Sequence, residues 1–206
     1  VFEVPYWKCS VESEKIDQIY HEHVSYMTVK SISRMLDLAD MNIVNIKLVD
    51  YHGGSLRVYA RNKRYLEDSA VQHMIREEAH FGLFDEDLYA NLMSRLLKRK
   101  FNFLKEIYNI KSLGFPILAI GAAAKGNTFL KYLNLDSDVI EYITDVSEHK
   151  KGKTTPLTCI TICDDGVFKN YNKIYAIILS WNLSEDIKQK LYKINPNIEF
   201  LIFDDF

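Results

Sequence analysis

Four consecutive residues, Tyr20 to His23, place a phenol, two imidazoles and a carboxylate in one short segment. Imidazole has an unperturbed pKa of about 6.5, so it is the side chain best matched to proton abstraction at neutral pH. A carboxylate beside such a ring is expected to orient it and to raise its basicity. On these residues alone, two interpretations remain open: the histidines carry out acid–base chemistry, or they are structural and have satisfied hydrogen bonds. A metal site would need more ligands, since neither His21 nor His23 has a suitable partner four positions later.

A second candidate site follows a predicted buried strand, in the stretch IGAAAKGNT. Gly121 ends that strand, and a helix is predicted to begin near residues 125–127, where free backbone N–H groups and the helix dipole favour an anion. Asp145 ends the next strand, where dinucleotide-binding folds keep an acid for ribose hydroxyls. The pattern predicts phosphate or nucleotide binding. Tight strand–helix packing without a ligand is the alternative.

Two familiar phosphate-binding signatures fit this stretch only in part. The G-x-G-x-x-G fingerprint has Ala123 in place of its second glycine, and a P-loop needs Gly-Lys-Ser/Thr, whereas Gly126 is followed by Asn127. Lys125 can still meet a phosphate as a point charge. We therefore expect no ATP hydrolysis and disfavour a nicotinamide-dependent oxidoreductase.

The tripeptide SWN, Ser180 to Asn182, closes another apolar strand at its carboxyl end. Trp181 is suited to stacking on a base or a sugar, and Asn182 to hydrogen-bonding it. A tryptophan buried in the core is the alternative interpretation.

The elements that must position these groups fall into two parts. Val1 to Trp7 predicts a short strand that ends in a loop, Ser31 to Met41 a helix, and the alternating runs on either side of Gly53-Gly54 a β-hairpin. Residues 62–113 are helical in character. From Phe115 onward apolar strands alternate with helices, which predicts a parallel sheet covered on both faces. The expected fold class is therefore α/β, with a small Rossmann-like domain at the end of the chain.

Composition excludes several classes of protein. The chain has 206 residues, of which 48% are hydrophobic and 26% charged, and a net charge of −2, so it has no electrostatic footprint for nucleic acid. No apolar run reaches the roughly 18 residues that span a membrane. Three cysteines, Cys9, Cys159 and Cys163, fit a reducing cytoplasm, and no further ligand pair accompanies the last two to make a zinc site. The lysines of residues 150–153 predict a solvated face.

A set of motifs occurs in one order along the chain: EVPY, YHEHVSYM, YHGGSLRVYA, GAAAKGNTFLKYL followed by Asp145, and SWNL. In this order they resemble the later half of sugar C-methyltransferases, the S-adenosylmethionine-dependent enzymes that methylate C3 of keto-deoxysugars carried on dTDP. Such enzymes have a zinc-binding domain, a Rossmann domain for S-adenosylmethionine and a C-terminal Rossmann-like domain that helps to hold the nucleotide sugar. The resemblance covers nearly the whole chain.

The resemblance implies three parts and a role for each. Residues 1–61 resemble the closing strands of the methyltransferase-type Rossmann sheet with the catalytic loop, residues 62–113 a helical connector, and residues 114–206 the domain that anchors the nucleotide sugar. In the loop, His23 is implied to be the base that removes the proton beside the 4-keto group, with Glu22 and Tyr20 orienting groups or stabilising the enolate. The implied substrate-binding residues are Gly121, Lys125, Gly126 and Asn127 for phosphates or ribose, Asp145 for a sugar hydroxyl, and Trp181 and Asn182 on the same rim.

Two features of that family do not occur in the sequence: the glycine-rich loop of the methyltransferase domain and the cysteine cluster of the zinc domain. We therefore expect this chain alone neither to bind S-adenosylmethionine strongly nor to turn over. It is interpreted as the later part of a longer polypeptide, whose N-terminal domains are its partners, or as a reduced relative kept for nucleotide-sugar binding. The alternative function is a non-catalytic module that binds a nucleotide or a sugar phosphate.

Overall fold

The computed structural model describes residues 1–51 and 53–206, without the side chain of Ile16. His52, which belongs to the quoted stretch YHGGSLRVYA, lies outside the described residues. The chain divides into two compact units, Val1–Arg95 and Leu96–Phe206, and the division falls inside the predicted helical connector. No helix in the described ranges is long and apolar enough to cross a membrane.

A three-stranded sheet organises the first unit. Its strands are β1 (Phe2–Pro5), β2 (Met41–Val49) and β3 (Ser55–Asn62), in the order β1-β3-β2. β3 is antiparallel to both neighbours, so β1 and β2 run parallel on either side of it. The predicted hairpin is confirmed, and Gly53 and Gly54 turn the chain with φ values of 84° and 112°, a region that favours glycine.

Three helices pack around this sheet: α1 (Trp7–Glu12), α2 (Val29–Leu38) and α3 (Ser69–His80). α1 lies where the sequence predicted a loop. α2 confirms the predicted helix, but it ends at Leu38, since Met41 already begins β2. It also begins two residues earlier, at a capping box in which the side chains of Thr28 and Ser31 each accept from the other's backbone N–H. The apolar face of α2 packs on the sheet, and the shared core includes Ile32, Ile43, Leu56 and Val58.

The predicted helical stretch contains a break. α3 ends at His80, Gly82 has a φ of 77°, and a second helix, α4 (Glu86–Ser112), follows with 27 residues. α4 begins in the first unit and continues into the second. Its end is confirmed at Gly114, where φ is 80° and the backbone N–H donates to the carbonyl of Lys111.

The second unit is built on a five-stranded parallel sheet. Its strands are β4 (Ile117–Ile120), β5 (Tyr142–Thr144), β6 (Thr161–Cys163), β7 (Ile174–Ile178) and β8 (Ile198–Leu201). Their order is β6-β5-β4-β7-β8, and every pairing is parallel. The predicted Rossmann-like sheet is thereby confirmed. The strand order reverses between β4 and β7, which is where sheets of this type bind ligands.

Both faces of this sheet are buried, as predicted for parallel strands. On one face, alternate side chains of β4 and β7 pack with Phe168 and with Leu191 of α6 (Ser184–Tyr192). The intervening residues Ile117, Ala119 and Ile177 are also completely buried. The remaining helix, α5 (Ala124–Leu133), links β4 to β5.

Candidate functional site

The candidate residues lie in two groups, one in each unit, and each group is described by itself. The first is the loop that leads from a 3₁₀ turn, Ile16–Gln18, to the start of α2. In it His23 is half-buried, and its Nδ1 lies 2.8 Å from the backbone carbonyl oxygen of Gln18. Because a carbonyl oxygen can only accept, Nδ1 carries the proton of the neutral ring and Nε2 keeps its lone pair. This is the tautomer that a general base requires.

Tyr20 and Glu22 form further contacts in this loop. The backbone N–H of His23 donates to the carbonyl of Tyr20 at 3.0 Å, and the two ring centroids are 4.5 Å apart. Burial, then the charge of Glu22 and a hydrogen bond to it, raise the pKa of Tyr20. The carboxylate of Glu22 thus engages the phenol. The expectation that an adjacent carboxylate orients the histidine ring is wrong, since the Gln18 carbonyl holds that place.

A buried carboxylate that the sequence did not indicate fixes the end of this loop. Glu78 of α3 is completely buried and accepts from the backbone N–H groups of Val29 at 2.5 Å and Lys30 at 3.1 Å. These are the first two N–H groups of α2, which the helix itself leaves without partners. Burial, followed by the charge of Glu78 and a hydrogen bond to it, raises the pKa of Tyr6. Only the fold brings Glu78 to this helix start.

The second group of candidates surrounds the turn after β4. Gly121 has a φ of 97°, and its N–H donates to the carbonyl of Thr144 at 2.7 Å. A Cβ added to Gly121 would lie 3.3 Å from the Cβ of Ser180 and still closer to the Ser180 hydroxyl. Both the backbone conformation and this close approach require glycine at position 121.

Asp145 anchors the same turn. Its Oδ2 accepts from the backbone N–H of Ala122 and from Nζ of Lys150, each at 2.9 Å, and its Oδ1 accepts from the N–H of Ser147. Burial would raise the pKa of Asp145, but the hydrogen bonds from Lys150, Ser147 and Ala122 outweigh it, and the net pKa lies below the ordinary value. Nζ of Lys150 also donates to the carbonyl of Ala122. Lys150, predicted to lie on a solvated face, is therefore tied to the turn.

Gly126 and Asn127 lie in the first turns of α5 and contribute in different ways. Gly126 is buried, and a Cβ there would lie 3.1 Å from the carbonyl oxygen of Gly121 and 3.2 Å from Leu179, so this glycine permits close helix–strand packing. Asn127 donates from Nδ2 to the carbonyl of Ala123 at 3.2 Å. Its Oδ1 is buried and has no hydrogen-bond partner among the described residues. An acceptor in this position suits a ligand hydroxyl better than an ionised phosphate.

Lys125 and the SWN tripeptide come together, although they are far apart in sequence. Nζ of Lys125 lies 4.9 Å from the ring centroid of Trp181 and 3.4 Å from Oδ1 of Asn182. Trp181 is half-buried and begins a short 3₁₀ turn, Trp181–Leu183. α5 has no side-chain cap at Ala123, so a cation lies beside the positive end of a helix dipole on one short stretch of chain.

A cavity of about 250 Å³ opens at the carboxyl ends of β4, β5 and β7, at the reversal of strand order. Gly121, Asp145 and Ser180 line it, and so do Thr144, Asp186 and Lys190, which the sequence did not indicate. In the described ranges, no group of three His, Cys, Asp or Glu side chains is placed to hold a metal ion.

Comparison with known proteins adds two similarities. Residues 50–203 match the pattern of a family described as the C-methyltransferase C-terminal domain. The match covers the second group of candidates, whereas the Tyr20–His23 segment precedes it. C-methyltransferase NovU of Streptomyces niveus is 26% identical over 187 residues, which make up 90% of this chain and 44% of NovU. The chain thus spans less than half the length of this relative.

Proposed function

Because the chain belongs to the family of C-methyltransferase C-terminal domains, we propose that it supplies the deprotonating loop and the substrate-anchoring domain of an S-adenosylmethionine-dependent transferase. The proposed substrate is a keto-deoxysugar carried on dTDP, and the product is its C-methylated form. Similarity to the C-methyltransferase NovU supports this assignment. The three free cysteines support a reducing compartment, which we propose to be the cytoplasm.

The observation that carries the catalytic proposal is the hydrogen bond from Nδ1 of His23 to Gln18. It leaves Nε2 as the atom that takes a proton from the carbon beside the ketone. The electron pair of that C–H bond moves into the enolate, and the negative charge develops on the carbonyl oxygen. Tyr20, a phenol that is protonated at neutral pH even at its ordinary pKa of about 10, is proposed to stabilise that oxygen, with Glu22 positioning the phenol.

S-adenosylmethionine would supply the methyl group for the deprotonated carbon. The described residues of the first unit do not fit this cofactor, because they lack a glycine-rich loop between a strand and a following helix. Their glycines are Gly53 and Gly54, which connect two strands, and Gly82, which connects two helices. We propose that other domains of the same polypeptide hold it. The order β1-β3-β2, with an antiparallel strand between two parallel ones, supports the interpretation of these strands as the closing part of a methyltransferase sheet.

In the second unit, the diphosphate is proposed to bind at the start of α5, where the ammonium group of Lys125 and the positive end of the helix dipole lie together. Gly121 and Gly126 let the backbone come close, while Asn127 and Asp145 offer acceptors to hydroxyls. Trp181 and Asn182, which contact Lys125, are proposed to form the rim that meets the base or the sugar.

Calorimetry of the 206-residue chain with dTDP tests the anchoring role. Lys125→Met should weaken dTDP binding about 10- to 100-fold, the effect of losing one charge-assisted hydrogen bond. The matched control is Lys131→Met, in the last turn of the same helix, which should leave the affinity unchanged. NAD should not bind, and tight NAD binding would contradict the assignment. Binding of dTDP without any deprotonation of a keto-sugar would favour the alternative, a non-catalytic nucleotide-binding module.

A further inference from the structure

One hydroxyl in the wall of the cavity has no role in the proposed function. Thr144 lines the cavity and is completely buried, and its Oγ1 has no hydrogen-bond partner in the part of the chain that the structure describes. A buried hydroxyl without a partner is unfavourable, because it has lost its hydrogen bonds to water and gained none. Because Thr144 lines the cavity, a ligand that enters it can complete the hydrogen bonding of this hydroxyl once the side chain turns towards the ligand.

The size of the cavity limits what that ligand can be. Its volume is about 250 Å³, above the roughly 150 Å³ of a protein cavity that accepts benzene. It is below the roughly 300 Å³ at which pockets for drug-sized ligands begin. One substituted ring therefore fits, whereas a complete nucleotide-linked sugar does not. Ile120, Leu183 and Leu191 contribute apolar walls, against which the faces of such a ring can pack.

The charges of the lining select the chemistry of the ring. Asp145, Asp165 and Asp186 line the cavity together with Lys190, and Asp145 is paired with Nζ of Lys150 at 2.9 Å. Lys190 is already paired with Asp165 at 2.6 Å, and Asp186 lies in the first turn of α6. With these two ion pairs counted, the lining has one carboxylate in excess, that of Asp186, which would repel a diphosphate inside this cavity. A neutral ring that carries hydroxyls can donate to them, and it can also accept from Thr144.

We propose that this cavity binds a neutral, hydroxyl-bearing ring of the nucleotide-linked substrate, with Thr144 hydrogen-bonded to that ring and the diphosphate outside. The identity of the ligand rests on the proposed function. Lys125 provides the place for the diphosphate, because it contacts Trp181 and Asn182, the residues that directly follow the cavity-lining Ser180. The deoxyribose and the sugar share the required chemistry, and the experiment distinguishes them.

The test compares Thr144→Val, which keeps the branched shape and removes the hydroxyl, with Thr144→Ser, which keeps the hydroxyl. Thr144→Val should fold and should not lower the melting temperature of the ligand-free chain, because a buried hydroxyl without a partner is replaced by a methyl group. Binding is measured by calorimetry with thymidine, dTDP, dTDP-glucose, methyl glucoside and inorganic pyrophosphate. We expect Thr144→Val to lower the affinity for the ring-bearing ligand that enters the cavity about 5- to 10-fold. Thr144→Ser should retain most of the original affinity, and the affinity for pyrophosphate should not change in either variant.

The pattern across the ligands identifies the ring. Equal weakening of thymidine, dTDP and dTDP-glucose assigns the cavity to the deoxyribose. Weakening confined to dTDP-glucose and methyl glucoside assigns it to the sugar. If Thr144→Val changes none of these affinities while Lys125→Met still weakens dTDP, the cavity assignment is overturned and the proposed function stands. If thymidine or methyl glucoside binds in a Thr144-dependent way but dTDP shows no dependence on Lys125, the cavity assignment stands and the diphosphate site is overturned. Failure of every ligand to bind overturns both.

Discussion

The carboxylate of Glu78 accepts a hydrogen bond from the backbone N–H of Val29, 49 positions earlier in the chain, at 2.5 Å. The same carboxylate accepts from the N–H of Lys30 and is completely buried. It thereby joins α3 to the first turn of α2, directly after the loop that carries His23. The geometry of the proposed catalytic loop thus depends on a residue outside it.

Removal of this carboxylate should destabilise the first unit. Glu78→Ala leaves the buried N–H of Val29 without its partner, at about 1–3 kcal/mol, and removes the acceptor of the partly buried N–H of Lys30, so we expect the free energy of unfolding to fall by about 1–3 kcal/mol. The chain has two tryptophans, Trp7 and Trp181, and in a Trp181→Phe background the fluorescence of Trp7 reports on the first unit. Glu77→Gln, at the exposed neighbouring position, is the control and should change stability by less than about 0.5 kcal/mol. A similarly small effect of Glu78→Ala would show that water replaces the carboxylate.

Replacing Gly126 of α5 by alanine should lower the stability of the fold, although alanine has the higher helix propensity. Gly→Ala inside a helix usually stabilises by about 0.5–1 kcal/mol. At Gly126 the new Cβ would lie 3.1 Å from the backbone oxygen of Gly121 and 3.2 Å from Leu179, so we expect Gly126→Ala to destabilise by about 1–3 kcal/mol. Urea unfolding measures the change, with Lys131→Ala on the exposed side of α5 as the comparison. Greater stability of Gly126→Ala would mean that α5 can move away from the sheet.

Asp145 should contribute a stability that depends on pH. Its pKa in the folded chain lies below the ordinary value of 3.8. A carboxyl group with a lowered folded pKa stabilises the fold above its unfolded pKa, and this contribution is lost as the pH falls through that value towards the folded pKa. Asp145→Asn should therefore be less stable than the unsubstituted chain at pH 7, and the difference should shrink as the pH falls below about 4.

Urea unfolding at several pH values between 7 and 3 measures this difference. Asp138→Asn, at an exposed position of the same unit, is the matched control. A difference between Asp145→Asn and the unsubstituted chain that stays constant across this range would mean that the charge of Asp145 is not what holds the turn, and that hydrogen bonds available to an amide suffice.

The parallel sheet could be predicted because its evidence is local. Apolar runs such as PILAI and YAIIL are buried on both faces only in a parallel sheet with covering helices, and the hairpin followed from the Gly53-Gly54 pair. The proximity of Lys125 to Trp181 also follows from topology, since both lie after carboxyl ends of neighbouring strands. These inferences need only the order of the elements.

The remaining features depend on tertiary contacts that no local pattern encodes. The burial of Glu78 and its contact with Val29 arise from the packing of α3 against α2, and a single buried glutamate resembles any exposed one in sequence. From the sequence, Lys150 is predicted to be part of a lysine-rich surface, yet its Nζ donates hydrogen bonds to Asp145 and to the carbonyl of Ala122. The partner of His23 was misassigned for the same reason, because Gln18 contributes a backbone carbonyl, which every residue has.

The most direct test of the proposed chemistry follows deuterium uptake from D₂O into a dTDP-linked 4-keto-6-deoxysugar, at the carbon beside the ketone, with mass spectrometry as the readout. This exchange requires deprotonation and no methyl donor. We predict that the chain accelerates the exchange above the rate without protein. His23→Ala should return the exchange to that background rate while the affinity for dTDP stays nearly unchanged. The neighbouring control, His21→Ala, should keep the acceleration. Exchange by His23→Ala at the unsubstituted rate, or no acceleration by the unsubstituted chain while it binds the sugar nucleotide, would contradict the assignment of His23 as the base.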